Sequence, residues 1–214
     1  MATLIKKIVL WSLFLLLVTT AHANFITNGG FESGTDPPTD DFRTLNAGDD
    51  SFDNISGWVV TGSVDWKNTY WIAQEGEKSL DLSGSYIGAI STTFDTIPGG
   101  IYTVTFYMSG NFDHNNRDGN PLYKRLRVSA AGASQTFYFD RPDEWSTKNM
   151  GWTQKTWTFT ADNASAHLTF ASLDNNAFGP ALDNVVVTPL PSSVLLLGTV
   201  LLRLGAMGWR RRKA

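Results

Sequence analysis

The middle of the chain alternates between two kinds of residue with a period of two. From Gly100 to Ser109, Tyr102, Val104, Phe106 and Met108 fall on one side of the repeat, and Ile101, Thr103, Thr105 and Tyr107 fall on the other. A two-residue period belongs to a β-strand, whose successive side chains point to opposite faces. Similar runs lie at 79–82, 87–94, 122–130, 134–140, 154–160, 166–171 and 181–188. They are rich in Thr, Val, Phe and Trp, which suit a pleated, half-buried surface. Pro98-Gly99-Gly100, Ala131-Gly132 and Asp174-Asn175-Asn176 supply turn chemistry between them. Nothing between Asn24 and Thr188 holds helical spacing. Roughly eight to ten short strands at such intervals predict an all-β sandwich.

Two stretches break the alternation. Ser33 to Asn54 is polar and carries Asp36, Asp40, Asp41, Asp49, Asp50 and Asp53. It reads as a long loop. Asn111 to Pro121 reads as another, joining two strong strands; long loops in small domains are usually functional or disordered.

The two ends differ from the body. Lys6 and Lys7 precede an uncharged apolar run from Ile8 to Val18, and Ala21-His22-Ala23 places small residues where a signal peptidase cuts. The run would rise only about 16 Å as a helix, too short for a hydrocarbon core of about 30 Å. Residues 1–23 are therefore expected to be a signal peptide with a helical segment, cleaved before Asn24. At the other end, Pro189-Leu190-Pro191 is followed by an apolar stretch from Val194 to Trp209 and by Arg210, Arg211, Arg212 and Lys213. A short span closed by basic residues predicts a hydrophobic membrane helix with its charged end in the cytoplasm. Residues 189–214 resemble the PEP-CTERM sorting signal, with Pro-Leu-Pro in place of Pro-Glu-Pro. That resemblance implies a Gram-negative host, an exosortase as processing partner, and either membrane anchoring or release to the cell surface or extracellular matrix. Arg203 interrupts the apolar run, where a charge costs about 2.5–3.5 kcal/mol on insertion scales.

Charge changes once the ends are set aside. The body holds ten basic and all 20 acidic residues, a net charge of −10. That opposes nucleic-acid binding, which needs a basic footprint. The chain contains no cysteine, so disulfides, cysteine nucleophiles and thiolate metal sites are excluded.

An ordered set of motifs spans the body: Asn28-Gly29-Gly30-Phe31-Glu32, Gly57-Trp58, Gly62-Ser63-Val64-Asp65-Trp66, Tyr70-Trp71, Glu75-Gly76-Glu77-Lys78-Ser79, and Ala181-Leu182-Asp183-Asn184-Val185. Together they resemble domain-of-unknown-function family 642 in its choice-of-anchor C branch. The resemblance implies a single jelly-roll β-sandwich over residues 24–188, galactose-binding-like in fold. It extends to carbohydrate-binding modules of families 4 and 22, which share the opening motif and a closing strand with Asp. In such modules a structural Ca²⁺ often joins the first strand, a Glu-Gly-x-Lys segment and the last strand. Carried onto this chain, the ligands would be the side chains of Glu32, Glu75 and Asp183, helped by carbonyls near Gly30 and Lys78. Without a cation, Glu32 and Asp183 would instead hydrogen-bond backbone groups at strand ends.

The same resemblance implies a polysaccharide or exopolysaccharide partner. Aromatic faces stack on sugar rings, so Trp66, Tyr70, Trp71, Tyr86 and Trp145, all in polar surroundings, are the candidate binding residues. Trp58 and Trp157 are expected in the core. An enzyme is less well supported: His114 and His167 are the only histidines outside the leader, and no Gly-x-Ser-x-Gly or His-Glu-x-x-His motif occurs. A non-catalytic sugar-binding module, a ligand-free structural protein of the biofilm or envelope, and a glycoside hydrolase working through two carboxylates all stay open at this point.

Overall fold

The alternation resolves into ten antiparallel strands in a computed structural model, which describes residues 24–47, 55–112, 123–140 and 146–190. In chain order these are β1 (Phe42–Asn46), β2 (Val59–Lys67), β3 (Ser79–Asp81), β4 (Gly88–Asp95), β5 (Ile101–Gly110), β6 (Tyr123–Ala130), β7 (Ala133–Asp140), β8 (Thr153–Thr160), β9 (Ser165–Ser172) and β10 (Pro180–Pro189). The first layer runs β1-β2-β3-β10-β5-β8 and the second β2-β4-β9-β6-β7. The architecture is the expected all-β jelly-roll sandwich. No helix occurs among the described residues. The expected leader helix and the expected tail helix both lie outside them.

β2 belongs to both layers. Val59 to Gly62 pair with β4, whereas Ser63 to Lys67 pair with β1 and residues 65–67 with β3. Gly62 makes the crossing possible. Its φ is +71°, and a Cβ there would lie 2.4 Å from the Ile87 carbonyl oxygen. A side chain is excluded on both counts.

Two expectations need correction. The segment 33–54 contains β1, which pairs with β2 from Phe42↔Lys67 to Asn46↔Ser63. β2 itself is not marked by apolar alternation, because both of its faces are buried beyond Gly62. Val64 and Trp66 enter the core while Ser63, Asp65 and Lys67 take the opposite face.

The core lies between the layers. Phe106 of β5 meets Phe137 of β7 and Phe170 of β9, each at 5.2 Å between ring centres. Trp58 and Trp157 are buried there as expected. Complete burial of one such side chain contributes about 1.5–3 kcal/mol. The segment before β1 is fastened to β10: Phe25 N donates to Val187 O at 3.0 Å, and Val187 N donates to Asn24 Oδ1 at 2.9 Å.

Candidate functional site

A polar row crosses the outer face of the first layer. Asp65 of β2 lies opposite Asp81 of β3, Asp81 opposite Ala181 of β10, and Ala181 opposite Ser109 of β5. Two carboxylates on neighbouring strands need compensation. Lys67 Nζ donates to Asp65 Oδ2 at 2.8 Å, and the Thr44 hydroxyl donates to Asp65 Oδ1 at 2.6 Å. Asp81 accepts from the amides of Ser83 and Gly179 and from Asn111 Nδ2 at 2.6 Å. Its complete burial pushes the carboxyl up to about 7, against the opposing pull of the Lys67 ammonium.

Above Asp65 and Lys67 opens a cleft of about 210 Å³. Phe42 and Tyr70 form one wall, packed edge to face at 5.7 Å, with Phe42 still 43% exposed. The Lys67 ammonium is enclosed by aromatic rings, 3.8 Å from the centre of Phe42, 4.7 Å from Tyr70 and 5.0 Å from Trp71. Cation–π attraction partly replaces the lost water. Gly84 keeps the floor open: a Cβ there would come within 3.0 Å of Asp65 Oδ1 and of the Thr44 methyl.

Both walls are fixed by hydrogen bonds. Asp41 O accepts from the amides of Asn68 and Tyr70, which ties the Tyr70 turn to the start of β1. The opposite wall, Ala177 and Phe178, follows the Asp174-Asn175-Asn176 turn. Asp174 Oδ1 there accepts from Arg125 Nε at 2.9 Å, and Lys124 Nζ donates to Phe178 O at 2.6 Å. Burial lowers the Lys124 ammonium to about 8, although Asp81 and Asp174 pull it up.

The expected binding aromatics divide. Trp66 shares the phase of Val64, so its ring points between the layers; it is fully buried, and its Nε1 donates to Phe31 O at 2.9 Å. Trp71 is also buried, donating to Ser79 Oγ at 2.7 Å. Neither offers an exposed face to a ligand. Tyr70 is half-buried and lines the cleft, and Tyr86 stands 48% exposed just after the lining residue Ser85. Trp145 and His114 lie outside the described residues. Phe42, Asp65 and Lys67 escape sequence reasoning because Phe42 sits in a supposed loop and the other two in a strand without apolar alternation. Their one signal is the i, i+2 spacing of Asp65 and Lys67, which places both on one face of a strand.

The residues expected to hold calcium meet at the 74–78 turn. Glu32 Oε1 accepts from the amides of Glu77 and Lys78 at 2.9 and 2.8 Å. Asp183 Oδ2 accepts from the amides of Gln74 and Glu75 at 2.8 and 3.0 Å. A β-bulge between Asp183 and Val186, with Asn184 at φ +48°, turns Asp183 toward that turn before Val187 returns to the core. A Cβ on Gly30 would lie 2.5 Å from Glu75 Oε2. The donors are hard oxygens suited to Ca²⁺. Backbone amides already hold one oxygen of Glu32 and both of Asp183. Among the described residues no three acidic or histidine side chains gather closely enough to hold a metal. Desolvation pushes the Asp183 carboxyl up to about 7, opposed by its amide donors.

Halomucin from Haloquadratum walsbyi is 33% identical over 176 residues, which cover 79% of this chain and 2% of halomucin. The chain thus spans a small fraction of that relative's length. Among solved structures, the CBM22-1 xylan-binding domain of Paenibacillus barcinonensis Xyn10C is 15% identical with a TM-score of 0.46, covering 80% of this chain and 97% of that domain. A family 35 carbohydrate-binding module from Clostridium thermocellum is 11% identical with a TM-score of 0.45, covering 61% and 90%. Residues 24–188 match the family described as Protein of unknown function (DUF642), and the chain belongs to that family.

Proposed function

We propose that this protein is an exported, non-catalytic polysaccharide-binding module whose ligand enters the cleft between Phe42 and Tyr70. One observation carries this: a buried donor–acceptor pair, Lys67 and Asp65, lies at the foot of an aromatic wall in an otherwise acidic domain. Sugars present that combination in reverse, with an apolar ring face edged by hydroxyls. Asp81 serves the fold, enclosed by three donors, whereas Asp65 is held in place at the foot of the cleft by a lysine and a threonine. Export and exosortase processing, with anchoring or release at the cell surface, rest on the composition of the two ends.

Affinity electrophoresis on neutral plant and bacterial polysaccharides tests the binding. Retardation of the wild type, weakened at least tenfold by Phe42→Ala or Tyr70→Ala with the melting temperature kept, supports it. Absence of retardation on every polysaccharide favours a purely structural envelope protein, and release of reducing ends would make it a hydrolase.

Calcium is a separate proposal. At the 74–78 turn Ca²⁺ would draw together Glu32, Glu75 and Asp183, which do not gather closely enough as they stand, with carbonyls near Gly30 and Lys78, and so tie the opening segment to β10. It is supported by the shared turn and by the Glu75 carboxylate, which has no protein partner among the described residues. An EDTA-induced drop in melting temperature, reversed by Ca²⁺, is expected; an unchanged melting temperature together with no metal by elemental analysis rejects it.

A further inference from the structure

Resting on the cleft being a sugar site, we infer that it takes one terminal, uncharged pyranose ring, gripped through a pair of adjacent hydroxyls, rather than a stretch of chain interior. The lone pairs of Asp65 carry this. An ionised carboxylate offers about four acceptor positions. Thr44 fills one on Oδ1 and Lys67 one on Oδ2, and Asp65 has no other hydrogen-bond donor among the described residues. Asp65 is only 6% exposed and lines the cleft. Asp65 therefore borders a space that a ligand can enter, with two acceptor positions that no described residue fills. Neighbouring hydroxyls on one ring supply two donors at matching separation.

Charge selects against acidic sugars. Asp65 and Lys67 neutralise each other at 2.8 Å, so the described residues that line the cleft bring no surplus cation, and the body around it carries −10. A uronate or sulfate would bring acceptors against the open acceptor positions of Asp65 and would lose its hydration without a partner.

Size selects a single ring. The volume of about 210 Å³ lies below the roughly 300–1,000 Å³ of sites that enclose drug-sized ligands. The Phe42–Tyr70 wall and the Ala177–Phe178 wall bound it on two sides.

Isothermal titration of the full chain tests this. The probes are methyl glycosides of galactose, glucose, mannose and xylose, then neutral oligosaccharides of one to six units, and methyl galacturonide. The expected result is binding of at least one neutral methyl glycoside. Affinity should change less than threefold from one unit to six, and fall at least tenfold when either hydroxyl of one adjacent pair is replaced by hydrogen or methylated. The charged glycoside should not compete. Affinity that climbs tenfold or more as units are added, or survives loss of every single hydroxyl, overturns the single-ring grip while leaving a sugar-binding cleft in place. Preference for galacturonide overturns the selection against charge. If neither any glycoside nor any neutral polysaccharide binds, the sugar site itself is wrong. The ligand-side substitutions leave the protein untouched, so no misfolded variant confuses the outcome.

Discussion

Phe42 and Lys67 are direct cross-strand partners, and the Lys67 ammonium lies 3.8 Å from the centre of the Phe42 ring. A lysine on an outer strand face would ordinarily reach into water. Here its side chain folds beneath three aromatic rings onto Asp65, and it is 2% exposed. Lys67→Met should therefore cost about 3–5 kcal/mol, because it leaves Asp65 buried without its cation. Asp65→Asn with Lys67→Met together should cost less than the sum of the two single changes. Urea denaturation of the four proteins in a double-mutant cycle measures the difference.

Acidity should stabilise the fold over part of its range. Asp81 has an ordinary value of 3.8 and is pushed to about 7 in the folded chain. Between these values the folded state keeps a proton that the unfolded state has released. Stability is then greatest near pH 4, falls as pH rises to about 7, and levels off above. Asp183 shares the window, also at about 7. In EDTA, Asp81→Asn should flatten part of the slope of melting temperature against pH, and Asp81→Asn with Asp183→Asn more of it. An unaltered slope would mean that the two carboxyls are ionised throughout.

Lys124 acts at the other end of the scale. Its folded value of about 8 lies below the ordinary 10.5, so the unfolded chain binds more protons between the two. Stability should rise from pH 8 toward pH 10 on this account. Lys124→Met should remove the rise, read from melting curves across that interval.

Trp66 and Tyr70 should separate stability from binding. Trp66→Ala removes a fully buried indole and orphans Phe31 O, at a cost of about 3–5 kcal/mol. Tyr70→Ala, on the half-buried wall, should lose far less stability and most of the retention on polysaccharide. Chemical denaturation and affinity electrophoresis on the same preparations give both numbers.

Gly62→Ala should be among the most damaging small substitutions. The added methyl must displace backbone at Ile87 and Gly88 while holding a left-handed φ. A loss of about 2 kcal/mol or more in the denaturation midpoint is expected.

The sequence shows its strands wherever one face is apolar and the other polar. β5 is the clearest, with Tyr102, Val104, Phe106 and Met108 all buried. β2 hides because Asp65 and Lys67 are as buried as Val64 and Trp66, which erases the contrast that periodicity needs. β1 hides because only Leu45 of its five residues enters the core. The cleft was missed for the same reason, since its floor and one wall come from those two strands. Polar neighbours single out Tyr70, which lines the cleft, and Tyr86, which is exposed, but the same criterion admits the buried Trp66 and Trp71. For Trp66 the reason is that a polar neighbour along the chain says little about a strand residue, whose own side chain points the other way.

β10 is the last of the described strands and sits between β3 and β5 near the middle of its layer. It also receives the opening segment through Val185 and Val187. Until residues 180–189 have left the ribosome, β3 and β5 have no partner between them and the sandwich cannot close. Closure of this layer waits on a strand that follows β3 by about 100 residues, a pairing of the long-range kind that slows folding. Without residues 180–189 the layer stays divided into β1-β2-β3 and β5-β8, and it becomes one surface only when that strand comes between them.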